Sequence, residues 1–327
     1  MPRVTIVVPA FNVAATLGDT LASLKAQTFQ DFEVVIIDDG STDQTRDVAQ
    51  PFLTDRRFWY ISQANRGLAG ARNRGITEAK GELIGFCDAD DMWHPDKLRR
   101  HVKHLDKNPN VGVSYSGSQF MDAAGRPLAI KQSPRLRNVT ASHIMKRNPI
   151  GNGSAPVIRR AVLDDIAYVH HASQSGFFYF DETFRQSEDI ECWLRIALLT
   201  DWGFEGVRGA LTLYRVAGDG LSAKTDRQLA SWENVMRKLR PLHPEFFARH
   251  EPAARAYQMR YLARRAISSG DSAQARDYLA RAWAQSKEPL WAEPIKSVVT
   301  ILAAQVAGLL RLSATAPKPP TKAPMPK

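Results

Sequence analysis

The chain has 327 residues, with 44 Lys and Arg against 34 Asp and Glu, a formal net charge of +10. An apolar fraction of 44% with 24% charged residues is that of a folded globular protein, which excludes wholesale disorder. Two cysteines, Cys87 and Cys192, with no C-x-x-C pair, exclude a disulfide framework and a zinc ribbon.

In chain order the first 117 residues alternate between two patterns. Val4–Val8 is a short β-branched run of the kind buried on both faces of a sheet. Ala14–Ala26 carries Leu17, Leu21 and Leu24 at helical spacing. Strand patterns at Glu33–Asp38, Phe58–Ile61, Glu82–Cys87 and Val111–Tyr115 are separated by helical patterns at Asp43–Gln50, Leu68–Ala79 and Pro95–Leu105. This alternation predicts an α/β fold with a mostly parallel sheet flanked by helices. Residues 118–180 read as irregular, Phe184–Leu199 as a helix and Ala210–Val216 as a strand. Beyond about Asp226 the pattern is helical, with Ala253–Ser268 and Ser272–Gln285 joined by Gly270-Asp271 as one tetratricopeptide-like hairpin, expected to pack on the main domain. The expected organisation is a catalytic domain over 1–221 (halves 1–117 and 118–221), a C-terminal α-helical extension over 222–313, and a disordered Pro- and Lys-rich tail over 314–327.

In parallel sheets ligands sit beyond the carboxyl ends of the strands. Acidic residues crowd two such ends here, Asp38-Asp39-Gly40-Ser41 and Asp88-Ala89-Asp90-Asp91. A carboxylate in the first cluster suits a nucleobase N–H; the same residues equally suit an Asx-turn followed by a helix cap at Ser41 or Thr42. In the second, two hard oxygen donors suit Mg²⁺ or Mn²⁺ bound with substrate phosphates, against a plain capping role before Pro95. Glu188-Asp189 opens a helical segment, where acids are favoured by the helix dipole in any case. Between these lies Asn65–Gly75, NRGLAGARNRG, whose small residues suit close approach to an anion. His101 and His104, three apart on a helix, read as surface polar residues, and both cysteines as buried small hydrophobes.

Five segments occur in order: VVPAFN (7–12), QTFQDFEVVIIDDGSTD (27–43), NRGLAGARNRG (65–75), GELIGFCDADD (81–91) and SEDIECWLRI (187–196). Over roughly residues 3–216 the set resembles the inverting family-2 glycosyltransferases, which have the GT-A, Rossmann-like fold of nucleotide-diphospho-sugar transferases. The resemblance implies donor binding by Pro9, Phe11, Asp39, Arg72, Asp88 and Asp90, with Asp39 on the nucleobase and Asp88 near the ribose. It implies a divalent metal, Mn²⁺ or Mg²⁺, at Asp90 with Asp88, and Asp189 as general base beside Glu188, with Trp193 and Arg195 as supports. Phe11 stands where the family often has Tyr. Tyr214-Arg215-Val216-Ala217 departs from the family's Tyr-Arg-x-His, shifting leaving-group stabilisation towards Asp90, the metal and Arg215.

The function so implied is transfer of a sugar from a nucleotide-diphospho-sugar, UDP-sugar favoured, to a hydroxyl of a carbohydrate or lipid-linked glycan acceptor in cell-envelope synthesis. The alternatives are a nucleotidyltransferase, or a non-catalytic sugar-nucleotide-binding scaffold. All of the excess positive charge lies in residues 222–327, which hold 18 Lys and Arg against 8 Asp and Glu. A basic extension of this kind points to an anionic surface, membrane lipid or an acidic partner, rather than to nucleic acid; a soluble helical face that is simply basic would read the same. Lys296–Leu312, apolar with basic ends, suits an interfacial helix or a core helix, and its 13-residue run Val298–Leu310 is too short to span a bilayer. The N-terminal run closing at Pro9 is too short for a signal peptide, so the expected location is cytoplasmic, with peripheral attachment to the cytoplasmic face of the membrane.

Overall fold

The computed structural model describes residues 1–169, 176–216 and 225–314. The tail over 315–327, His170-His171 and Ala217 onward to 224 therefore lie outside the described residues. Two compact units are present, Met1–Phe247 and Ala248–Lys327.

The first unit opens with β1 (Val4–Ala10), α1 (Leu17–Lys25), β2 (Phe32–Asp38), α2 (Thr45–Ala49), β3 (Phe58–Ser62), α3 (Gly67–Glu78) and β4 (Leu83–Phe86). Every residue of β1, β2 and β4 is buried, which explains their mostly apolar text; the polar Thr5 and Glu33 bond to each other at 2.7 Å. β1 lies between β2 and β4, β3 pairs with β2, and all three pairings are parallel. Leu17, Leu21 and Leu24 of α1 pack onto one face of this sheet with Val4, Ile6, Val34 and Ile36. On the other side α3 comes so close that a Cβ at Gly75 would sit 2.2 Å from Val7 Cγ1, so that position has room only for glycine.

The chain continues through β5 (Met92–Trp93), α4 (Lys97–Lys107), β6 (Val111–Met121), β7 (Pro127–Gln132), α5 (Ala141–Lys146), β8 (Val157–Arg159), α6 (Arg160–Asp165), α7 (Glu188–Leu199), β9 (Gly203–Arg215) and α8 (Thr225–Leu239). The sheet order is β3-β2-β1-β4-β8-β6-β9-β5, with β7 beside β6. The parallel pattern holds through β4; β8 then pairs antiparallel with β4 and β6, while the long β6 and β9 run parallel. The architecture is thus a mixed curled sheet flanked by helices, the GT-A arrangement. The stretch expected to be irregular contains β7, α5, β8 and α6, short elements whose polar text carries little periodicity.

One side-chain expectation is corrected. His101 is fully buried, not a surface residue, because Lys97, Leu98, His101, Val102 and Leu105 form the inward stripe of α4. His101 and His104 both present Nδ1 to Ser114 Oγ at 2.8 Å. Lys97, also buried, donates to Ala155 O at 2.7 Å and Thr212 Oγ1 at 3.2 Å. Burial pushes the Lys97 ammonium down to about 7 and holds the His101 imidazole neutral.

The second unit contains most of α9 (Pro244–Ser268), with α10 (Ser272–Gln285), α11 (Glu288–Ala292) and α12 (Pro294–Ala314). Ala256 and Met259 of α9 pack against Ala282 and Trp283 of α10. The turn between them is set by Asp271, which accepts the Gln274 N–H at 3.0 Å as an N-cap. Arg260 of α9 is buried and donates to Ser297 Oγ of α12 at 2.6 Å and to Glu293. A third helix therefore completes what a lone hairpin would leave exposed. Among the described residues no helix is long and apolar enough to cross a membrane.

Candidate active site

The site is built at the carboxyl edge of the parallel strands, around one buried arginine. Arg72, on α3, is 2% exposed. Its Nη2 donates to Asp88 Oδ1 at 2.8 Å, just beyond β4, and its Nη1 to Glu188 Oε1 at 2.7 Å, at the first turn of α7. Burial alone disfavours a charged guanidinium; Asp88, Glu188 and Asp189 outweigh it and hold Arg72 protonated above its ordinary value. Gly153 makes room for this pair, since a Cβ there would lie 2.2 Å from Arg72 Nη2 and 3.1 Å from Asp88 Oδ2.

Asp189 stands beside this pair, half-buried at the start of α7. Burial and the neighbouring Glu188 carboxylate push its carboxyl up to about 7, and Arg72 opposes them. Ser187, two residues before it, has φ 63°, the left-handed region that an L-residue enters at a cost. Surrounding contacts hold that turn. Ser231 of α8 donates to Gln186 O at 2.6 Å, and Lys238 of α8 reaches Asp181 Oδ2 and Glu191 Oε1, each at 2.7 Å. Trp193 and Arg195 are buried residues of α7 itself, where Arg195 Nε meets Glu191 Oε1 at 2.9 Å and Nη1 meets Ile166 O at 2.7 Å.

The acids after β4 divide their labour. Asp91 is fully buried and accepts from Ser154 Oγ at 2.6 Å and from the Arg215 N–H at 2.9 Å, so it fastens this loop to β8 and β9. Asp90 stays at the solvent side. Its carboxyl is pushed up to about 6 by desolvation and then by Asp88. Tyr214 shares this neighbourhood: its phenol is raised by burial and by Asp91, Asp88, Asp90 and Asp189. Arg215, expected near the leaving group, spends its guanidinium on Asp90 O at 2.8 Å, Ala123 O at 2.7 Å and Asp19 Oδ2 at 3.3 Å. It shapes the Asp90 loop instead.

Beyond the end of β2, Asp39 accepts from Gln63 Nε2 at 2.7 Å, Arg66 N at 2.8 Å and Gly67 N at 2.7 Å. Its carboxylate closes the N-terminus of the helix that carries Arg72. Asp38 takes the Ser41 N–H, three residues on, at 2.9 Å, a side-chain bond that closes this loop without forming an Asx-turn. Pro9 is buried within β1, whereas the Phe11 ring is 49% exposed beyond the strand end.

Glu182 lies outside the five segments, while Asn73 and Arg66 lie within Asn65–Gly75 without being singled out there. Asn73, buried one residue after Arg72, accepts the Phe180 N–H at 2.8 Å and donates to Phe180 O at 2.8 Å. Arg66 pairs with Glu182 through Nη2 at 2.5 Å and Nε at 3.1 Å. Together they pin α3 to the segment leading into α7.

Asp88 and Asp90 are hard oxygen donors whose mutual repulsion a divalent cation would relieve, so they fit such an ion. Among the described residues no group of three or more His, Cys, Asp and Glu is placed to hold a metal by itself. Water and phosphate oxygens would have to complete the shell.

The sheet has the GT-A arrangement, and its strand ends gather acids around the buried Arg72. The family model for glycosyl transferase family 2 matches residues 5–167, and through this stretch the chain belongs to that family. A glycosyltransferase of Nostoc sp. is 35% identical over 173 residues, covering 50% of this chain and 53% of that protein. The putative teichuronic acid biosynthesis glycosyltransferase TuaG of Bacillus subtilis is 26% identical over 74% of this chain and 90% of its own length. The chain spans about half the length of the Nostoc relative and 33% of a Rickettsia felis glycosyltransferase. Among solved structures, S. aureus TarS 1–349 in complex with UDP-GlcNAc superposes with a TM-score of 0.58 at 19% identity, over 96% of this chain and 92% of that one. Mannosyltransferase PcManGT from Pyrobaculum calidifontis, in complex with GDP-Man and Mn²⁺, gives 0.55 at 22% identity, over 95% of this chain and 88% of that one. These structures share its fold.

Proposed function

We propose that this glycosyltransferase moves a sugar from a nucleotide-diphospho-sugar, with a UDP-sugar as the favoured donor, to a hydroxyl of a cell-envelope glycan, with inversion at the anomeric carbon. The observation that carries this reading is the Arg72 bridge, 2.8 Å to Asp88 and 2.7 Å to Glu188, which unites the donor-side acids with the acids of α7. The names of similar proteins support it: TarS is crystallised with UDP-GlcNAc and TuaG is named for teichuronic acid biosynthesis.

On this reading Asp189, with a carboxyl at about 7, takes the proton of the acceptor hydroxyl as that oxygen attacks the anomeric carbon. The sugar–phosphate bond breaks in the same displacement, and the nucleoside diphosphate leaves with its electron pair. No covalent enzyme intermediate is required. Arg72 holds Glu188 so that its charge raises Asp189 without collapsing the site. Asp90 and Asp88 are the residues that would hold a divalent cation, which when bound neutralises charge on the departing diphosphate. Phe11 offers a ring face to the nucleobase, and Asp39 fixes the loop around it.

Incubation with a panel of nucleotide sugars and Mn²⁺ tests the reading. The expected result is release of nucleoside diphosphate, fastest with a UDP-sugar, and a product of inverted configuration by NMR. No release from any donor, or a product of retained configuration, overturns it.

A further inference from the structure

Helix α12 carries an apolar face that the described residues of its own unit leave open. Its inward side is polar or small, with Ser297, Thr300 and Ala304 buried. Its outward side is not: Ile295 is 78% exposed, and Val298, Val299, Leu302 and Val306 are each more than half exposed. At 3.6 residues per turn these five positions fall within an arc of about 100°, one continuous stripe. Trp291, 79% exposed on α11, stands immediately before the stripe. Scattered apolar residues on a surface need no account, but a continuous stripe of this kind marks a contact surface.

Charge selects its occupant. Residues 222–327 hold 18 Lys and Arg against 8 Asp and Glu. At the head of α12, Glu293 is shared between Arg260 and Lys296, so two cations meet one carboxylate. A second copy of this chain would bring a second C-terminal region with the same excess of positive charge, Lys296 beside the stripe included, and like charges oppose that contact. An anionic bilayer offers acyl chains to the stripe, negative headgroups to the lysines and an interfacial layer for the tryptophan. We propose that Trp291 and the outward face of α12 form a membrane-docking surface for anionic phospholipid, on which the helix lies in the plane of the interface rather than crossing it.

Vesicle flotation of the full chain tests this without reference to sugar transfer, so its outcome is independent of the catalytic reading. The chain is expected to float with phosphatidylcholine vesicles containing phosphatidylglycerol, poorly with phosphatidylcholine alone, and less as salt is raised. The double substitution V299E/L302E places two carboxylates in the stripe and is expected to lower partitioning by at least about tenfold. Both positions are exposed, so circular dichroism melting and vesicle-free donor turnover are expected to stay at the parent values. Failure to float at any phosphatidylglycerol content, or equal flotation of V299E/L302E, overturns the proposal. So does light scattering that shows a dimer which V299E/L302E dissolves, since that assigns the stripe to self-association.

Discussion

Arg72 and Glu188 lie 116 positions apart in the chain and meet at 2.7 Å in a buried pair. The contact joins α3, which follows the nucleotide-side strands, to α7, which carries the proposed base. Removing one member of a buried ion pair leaves the other charged and desolvated, and typically costs about 3–5 kcal/mol. Arg72→Ala strands two carboxylates, Asp88 and Glu188. The expected outcome is a fall in Tm of roughly 10 °C or more for a unit of this size, with loss of transfer. Arg72→Lys keeps the charge but cannot serve both carboxylates as a planar fork does, and an intermediate Tm is expected. Differential scanning calorimetry of both variants decides it; a Tm for Arg72→Ala equal to the parent value would remove the arginine from the centre of this site.

Asp189 makes a prediction in pH. A base titrating at about 7 is active only when deprotonated, so kcat/KM should fall as pH drops through that value. Asp189→Asn should lose about 10² to 10⁴ in transfer while donor affinity by calorimetry is kept. Stability runs the other way. The folded carboxyl sits above its unfolded value of 3.8, so the folded state holds the extra proton between about 4 and 7, and ionisation above that range costs the fold stability. Asp189→Asn is therefore expected to melt higher than the parent above pH 7, with the difference shrinking towards pH 4.

Asp90 is testable through the metal. With its carboxyl at about 6, protons compete with a divalent cation near and below that pH. Nucleoside diphosphate should bind more tightly with Mn²⁺ than without it, and this gain should fade as pH falls below 6. Asp90→Asn should abolish the gain and leave metal-free affinity near that of the parent. A full Mn²⁺ effect in Asp90→Asn, read by calorimetric titration, would move the cation elsewhere.

Much of this was legible in the sequence, for reasons that also explain what was not. β1, β2 and β4 announce themselves because a strand buried on both faces is mostly apolar, and acids stand out at the ends of such strands. Leu17, Leu21 and Leu24 mark their helix by period alone. Arg72 was visible as a cation in a Gly-rich turn, but its partners Asp88 and Glu188 come from other elements, and no local pattern connects them. His101 was misread because a histidine on a basic helix looks solvated; the signal lay in its spacing from Leu98, Val102 and Leu105, which puts it on the same stripe. Lys97 was invisible for the same reason, since only the fold supplies Ala155 O and Thr212 Oγ1 to its ammonium. Asn73 and Glu182 bind backbone or ion-pair partners over about a hundred residues, a separation at which sequence periodicity carries nothing.

Gly153 gives the sharpest steric prediction. Its φ does not lie in the left-handed region, so alanine there is acceptable to the backbone. The added Cβ would nonetheless stand 2.2 Å from Arg72 Nη2, on the side where that nitrogen meets Asp88. An arginine tethered at both ends cannot step aside without breaking one tether. Overpacking of this kind costs about 1–3 kcal/mol. The expected result for Gly153→Ala is a folded protein with a modest loss of Tm and a loss of transfer of roughly 10- to 100-fold, the rate equivalent of that strain. Because Gly153→Ala and Arg72→Ala disturb the same contact, their effects on transfer should not add; the double variant should be little worse than Arg72→Ala alone. Additive losses would show that Gly153 acts on something other than the arginine.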